Sequence, residues 1–211
     1  MKRLLILSCS DTKREPEPGR TMQALQLYDG PAYRVVRGYL DRVKMLGASN
    51  LSVLILSAEH GLIGGWDHIQ PYDRKMDVAR ASELAKSKAC RRAFAQAVEV
   101  PADTFAFAGA SYRNCISELA AHYRKDNKMT TACLASMTFA EGRGIGDMLA
   151  QLKAWLEAGT LTEDERADAL ALELDAIERR YDGPIPAEAR DRMYTLNAEL
   201  RLIIRNRPAS N

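Results

Sequence analysis

Charge of one sign is missing from this sequence: 30 lysines and arginines face 28 aspartates and glutamates, a formal net charge of +2. A near-neutral chain has no global field to hold it on nucleic acid or an anionic surface, so any such affinity must come from a local patch. Cysteine is sparse as well. Cys9, Cys90, Cys115 and Cys133 lie far apart, with no CxxC pair and no histidine at zinc-site spacing. That argues against a disulfide framework or a structural zinc site, and reduced thiols in a cytoplasmic protein are the expectation. Long apolar runs are also absent. MKRLLILS has too few apolar residues before Ser8 for a signal core, and no later run reaches membrane-spanning length. His60, Asp67 and His68 match no specific metal-ligand pattern, so neither metal nor organic cofactor is expected.

What the chain does have is alternation. Leu4 to Leu7 is a continuous apolar run, the pattern of a strand buried on both faces. Leu51 to Leu56 repeats it and ends at Ser57, Thr104 to Ala108 is closed by Gly109 and Ser111, and Thr130 to Ala135 is a weaker fourth. Helical patterns lie between, over Ala32 to Leu46, Val78 to Val98 and Ser111 to Arg124. This order predicts an α/β fold with a mainly parallel central sheet flanked by helices. From residue 159 the pattern changes. Thr162 with Glu165 reads as a capping box, Leu170, Leu174, Ile177 and Tyr181 share a helical face, and DGPIP breaks the chain. Met193, Leu196, Leu200 and Ile203 form a second stripe. The division expected is an α/β domain over 1–158 and a C-terminal helical hairpin over 159–211, its stripes serving core packing or a homodimer contact.

In open α/β sheets ligands bind beyond the carboxyl ends of the strands. Three such ends carry polar or small clusters here: SCSDTK, SAEHG and GASY. In the first, Ser8, Cys9 and Ser10 let a phosphate or base approach, and Lys13 supplies a charge or a nucleophile. In the second, His60 follows Ser57 and suits proton transfer, while Trp66 and Tyr72 offer rings for stacking. His68 reads as a structural residue of the same loop. In the third, Gly109 and Ser111 lead into a helix that Ser111 is placed to cap, and Tyr112 and Arg113 are placed to meet a ring or phosphate. A later loop, EGRGIGDM, has GxGxG rather than GxGxxG, and its Arg143 is the residue placed to assist a phosphate.

Taken in order, these segments resemble the YaaA-type (peroxide stress protein) superfamily and its related bacterial and phage domains. LSCSDTK is similar to the family's opening strand and Ser/Lys loop, LYDGPAY to its Y-x-G-x-x-Y element, and GASYRN to its AS-x-x-Y region. ILSAEHGLIGGWDHIQPYDRKM carries the most specific likeness, an LS-x-x-[YH]-G-L strand end followed by I-x-P-Y-x-x-x-M. The resemblance spans residues 4 to 155. It implies a nucleobase or nucleic-acid setting, with Tyr28, Gly30, Tyr33, Gly61, Pro71, Tyr72 and Asp73 among the substrate-binding positions. Asp73 stands where that family has arginine. LSCSDTK also resembles the CS-x-x-K loop of archaeosine synthase, a family associated with a lysine adduct to a deazaguanine nitrile, and Lys13 is the matching residue.

Two functions follow as expectations. One is an enzyme of glycosylase or base-modifying type, with Lys13, His60, Ser10 and Cys9 catalytic and a nucleotide or nucleic acid as substrate. The other is a non-catalytic DNA-binding or stress-response protein using Lys86, Lys88, Arg91 and Arg92, with Arg201, Arg205 and Arg207.

Overall fold

The computed structural model describes residues 2–44, 51–98, 102–126, 137–159, 163–181 and 183–206. In chain order the elements are β1 (Lys2–Ser8), β2 (Met22–Gln23), α1 (Ala24–Leu27), α2 (Pro31–Lys44), β3 (Leu51–Ser57), β4 (Gly61–Gly64) and β5 (His68–Ile69). There follow α3 (Val78–Lys86), α4 (Lys88–Val98), β6 (Ala102–Phe107), α5 (Ala110–Asp126), β7 (Thr138–Phe139), α6 (Ile145–Ala158), α7 (Glu163–Arg180) and α8 (Ala187–Asn206).

The expected α/β architecture is present: a five-stranded sheet in the order β4-β3-β1-β6-β7, parallel except for β4. Alternate side chains of β1 point to opposite faces, and both faces are covered. Leu5 and Leu7 pack with Val36 and Leu40 of α2 and with Leu152 and Leu156 of α6. Leu4 and Ile6 pack with Leu84 of α3, Phe94 of α4 and Ile116 of α5. Four consecutive apolar residues thus have a use at every position. Arg3 fastens α6 to the amino end of the central strand β1: it pairs with Asp103, donates to the carbonyls of Trp155 and Leu156, and lies over the Trp155 ring. A cation there also suits the negative end of the α6 dipole.

This topology prepares a site. The helix leaving β1 lies on one face, and the helices leaving β3 and β6 lie on the other. The connections diverge at the carboxyl end of β1, which is where an open α/β sheet offers a crevice.

Three local expectations are corrected. The apolar pattern over Val78 to Val98 is two helices, because Ser87 takes a non-helical conformation and caps the second one, accepting from the Cys90 N–H. Ser111 does not cap α5: Gly109 stands at that position, its carbonyl accepting from Arg113 N–H, and Ser111 lies inside the first turn. After Ser57 the chain turns back as β4, antiparallel to β3, where the sequence reads only as a loop. The candidate strand Thr130 to Ala135 and Thr162 of the capping box lie outside the described residues.

By contacts the chain divides into two compact units, Met1–Val43 with Ser49–Gly159, and Lys44–Ala48 with Thr160–Asn211. In the second unit the two apolar stripes face each other: Leu170 and Leu174 of α7 are buried with Leu196 of α8, and Ile177, Met193 and Leu200 flank them. Among the described residues no helix is long and apolar enough to cross a membrane.

Candidate functional site

The parallel register puts Ser8 beside Leu56 and Leu7 beside Phe107, so the loops after β1, β3 and β6 leave the sheet at one level. Cys9 is the first residue past that edge, and its N–H still bonds Leu56 O at 3.0 Å. Its Sγ lies 2.9 Å from the Tyr112 hydroxyl, in the first turn of α5. A second group of hydroxyls adjoins it. Tyr28 donates to Ser57 Oγ at 3.2 Å, Ser57 donates to Tyr72 at 2.9 Å, and the Tyr28 and Tyr72 hydroxyls are 2.8 Å apart. Ser57 Oγ also accepts from the N–H groups of Glu59 and His60. With its lone pairs so used, its own proton must go to Tyr72.

Charge is added at the rim. Lys13 Nζ sits 4.6 Å from the centre of the Tyr72 ring, a cation–π contact worth about 0.5–2 kcal/mol. The His60 ring stands edge-on to Tyr72, with centroids 5.2 Å apart. Burial pushes the Tyr28 phenol up to about 12, against the opposing effect of its bonds to Ser57 and Tyr72. Burial, and then the Cys9 thiol beside them, raise Tyr72 and Tyr112 as well. All three phenols therefore keep their protons at neutral pH and can serve as hydrogen-bond donors.

The sequence candidates sort into an exposed layer and a floor. His60 is exposed, and Lys13, Cys9, Tyr72 and Tyr112 are half-buried. Tyr28, Tyr33 and Ser57 are fully buried; Tyr33 donates to Ser8 O at 2.8 Å and packs on Tyr28. The structure corrects the expectation that Tyr28, Tyr33 and Ser57 contact substrate directly: burial makes them supports for the groups above. Ser10 is occupied in a turn, accepting from Thr12 N–H and lying against Gly30, where a Cβ would come within 2.5 Å of its Oγ. Gly61 is required by geometry, since its φ is +74° and a Cβ would meet Cys90 Sγ at 2.8 Å. Pro71 and Asp73 flank Tyr72 at the surface, and Gly109 is exposed beside Ser111. Arg143 is exposed in the loop before α6, its N–H held by Asp147.

Other expectations change. Arg113 bonds the carbonyls of Ala108 and Ala140 and so joins β6 to the segment after β7, leaving it no aim at a phosphate. Asp67 caps Gly64 N–H and His68 contacts Thr21, both structural uses. Among the described residues no three His, Cys, Asp or Glu side chains gather closely enough to hold a metal ion.

Two groups were not legible as site components. Arg80 reaches back from α3 to the carbonyls of Ala58 and Glu59, at 2.7 and 2.8 Å, and so holds the turn that carries His60. It also borders a cleft of about 420 Å³ with Glu59, His60, Gly61 and Glu83. Asp29 is ringed by Arg14, Arg34 and Arg37, which the sequence scatters between a charged loop and a helix.

No curated protein and no solved structure matches the chain. Residues 4–141 match the model of a protein family described as a family of unknown function (DUF6884), about two thirds of the chain. That span runs from within β1 through β7 and includes every candidate residue of the enzyme reading except Arg143. With its whole sheet edge inside the matched segment, the chain belongs to the DUF6884 family.

Proposed function

We propose that this chain is an enzyme acting on a nucleobase, nucleotide or modified base in nucleic acid, by glycosidic-bond or base-modifying chemistry. The observation that carries the catalytic half is the cluster itself. A thiol, three phenols and a serine hydroxyl from separate segments meet at one strand end, with Lys13 and His60 at its rim. Burying that many polar groups costs folding free energy unless they are paired or used, and the outermost are only partly buried. The nucleobase half rests on the resemblance of the β1, β3 and Tyr72 segments to the YaaA-type superfamily.

In this reading Cys9 or Lys13 is the nucleophile, with Lys13 also able to stabilise developing negative charge. His60 transfers a proton, and the Tyr112 hydroxyl donates to a heteroatom of a base. The Tyr72 oxygen, whose own proton goes to Tyr28, accepts from a base N–H. Tyr28, Ser57 and Arg80 are positioning residues. The DNA-binding alternative has less behind it, because Arg91, one of its basic residues, is turned onto the Ala85 carbonyl. A second copy of the chain remains the proposed partner of the hairpin, on which Leu172 and Tyr194 are exposed.

The test is turnover of nucleosides, nucleotides, single-stranded DNA and tRNA, followed by chromatography of released or altered bases. Wild type is compared with Lys13→Ala, Cys9→Ser and His60→Ala. His60→Ala is expected to lose about 100-fold or more, the scale of a general acid–base group, and at least one of the other two as much. Equal rates in all four proteins, or no turnover by wild type, would overturn the proposal.

A further inference from the structure

Asp29 carries more arginine than one carboxylate can neutralise. Arg14 lies 3.3 Å from Oδ1, Arg34 lies 3.1 Å from Oδ2, and Arg37 bonds Oδ1 as well. The three are not equivalent. Arg37 is buried and also donates to the carbonyls of Leu25 and Tyr28, at 2.9 and 2.7 Å. A buried guanidinium needs a counter-charge, and Asp29 is its only carboxylate among the described residues. The side chains of Arg14 and Arg34 remain 47% and 65% exposed. Each spends one terminal nitrogen on Asp29 and has no other carboxylate among the described residues. A guanidinium has five N–H donors, so most of theirs stay available.

The local balance is therefore three positive charges against one negative. The first turn of α2 adds no acidic residue to correct it. The excess is felt within the cluster: burial and then the charge of Arg14 hold Arg37 below its ordinary range, against the pull of Asp29.

The location ties this cluster to the sheet-edge site. Lys13 is bridged antiparallel to Tyr28, with Arg14 N–H on Leu27 O and Asp29 N–H on Thr12 O. Side chains alternate across such a ribbon, so Lys13 and Tyr28 share one face and Arg14 and Asp29 the other. One short segment thus presents Lys13 to the thiol cluster and Arg14 to the arginine cluster.

We propose that Arg14 and Arg34 form a phosphate seat, so that the substrate carries phosphate, as a nucleotide or a single strand, and is not a free base or nucleoside. This deepens the proposed function and takes its expected substrate from that reading. The planar guanidinium fork suits phosphate oxygens, and two forks flanking one carboxylate leave room for an anion to share them. These arginines are not needed for folding, because exposed ion pairs contribute little.

The test is fluorescence anisotropy of a labelled short single strand against salt concentration, with the full chain as wild type and as Arg14→Gln/Arg34→Gln. Binding by the double variant is expected to weaken about tenfold at low salt. Its salt slope should be shallower by about 0.7, the value for one lost single-strand phosphate contact. Arg34→Gln alone should give part of the loss, and the charge-matched control Arg179→Gln/Arg180→Gln should bind as wild type. A strand with neutral methylphosphonate links should bind wild type and double variant alike. Competition by a nucleoside 5′-monophosphate, with none by the nucleoside, would identify a free nucleotide as a source of the same phosphate. Equal affinity and slope for wild type and double variant, or no binding by wild type at low salt, would overturn the seat. An abasic strand separates the two proposals. If it binds wild type as well as the base-bearing strand and loses affinity in the double variant, the seat stands and base recognition fails.

Discussion

Removing one oxygen from the floor of the site should loosen the turn that carries His60. Ser57 is fully buried, and its Oγ takes part in four hydrogen bonds: with Tyr28 at 3.2 Å, Tyr72 at 2.9 Å, and the N–H groups of Glu59 and His60 at 3.3 and 3.1 Å. In Ser57→Ala the phenols of Tyr28 and Tyr72 still have each other, 2.8 Å apart. The two amides do not: both lose their acceptor at a partly buried turn, and each such hydrogen bond is worth about 1 kcal/mol. Taking about 2 kcal/mol, and roughly 3 °C per kcal/mol for a chain of this size, the melting temperature should fall by about 6 °C. Thermal unfolding followed by circular dichroism measures it. Amide hydrogen exchange supplies the local readout, with Glu59 and His60 exchanging faster while Leu5 and Ile6 of β1 stay protected. A melting temperature within about 1 °C of wild type, together with unchanged exchange at Glu59 and His60, would refute the reasoning.

Three further outcomes are expected. Gly61→Ala should destabilise the protein by about 1–3 kcal/mol in denaturant melts, through the positive φ and the contact with Cys90 Sγ. Gly61→Ala/Cys90→Ala should regain only the steric part. Alkylation at neutral pH followed by peptide mass spectrometry should label Cys9 well before Cys90 and Cys115, which are buried, and burial also pushes the Cys115 thiol up to about 12. Asp29 gives a pH dependence. Burial opposes its ionisation, but hydrogen bonds from Arg34 and Arg37 and the charges of Arg34 and Arg14 outweigh it, so its carboxyl is held below the ordinary range. A lowered folded-state value stabilises the fold above the unfolded carboxylate range, and the contribution is lost as pH falls through the lowered value. Below about pH 4 the melting temperature of wild type should therefore fall more steeply than that of Asp29→Asn.

The sequence by itself determined the local pieces of this protein. An unbroken run at Leu4 to Leu7 implies a strand covered on both faces, and every one of those residues is buried. The stripes at Leu170, Leu174 and Ile177 and at Met193, Leu196 and Leu200 imply helices that pair, and they do. These signals are legible because they repeat over two to four residues, the spacing at which neighbours share a face. The small residues at strand ends were equally visible as types, and so was the sheet edge where they gather. What periodicity does not carry is which distant segments meet. Cys9 and Tyr112 are 103 positions apart, and they touch because β1 lies between β3 and β6 with all three in parallel register. The same crossover topology buried Tyr28, Tyr33 and Ser57, turned Arg113 onto backbone carbonyls, and drew Arg14, Arg34 and Arg37 around Asp29. A side chain's identity states the chemistry it is able to do. Its neighbours, set by strand order and register, decide whether it is exposed to do it.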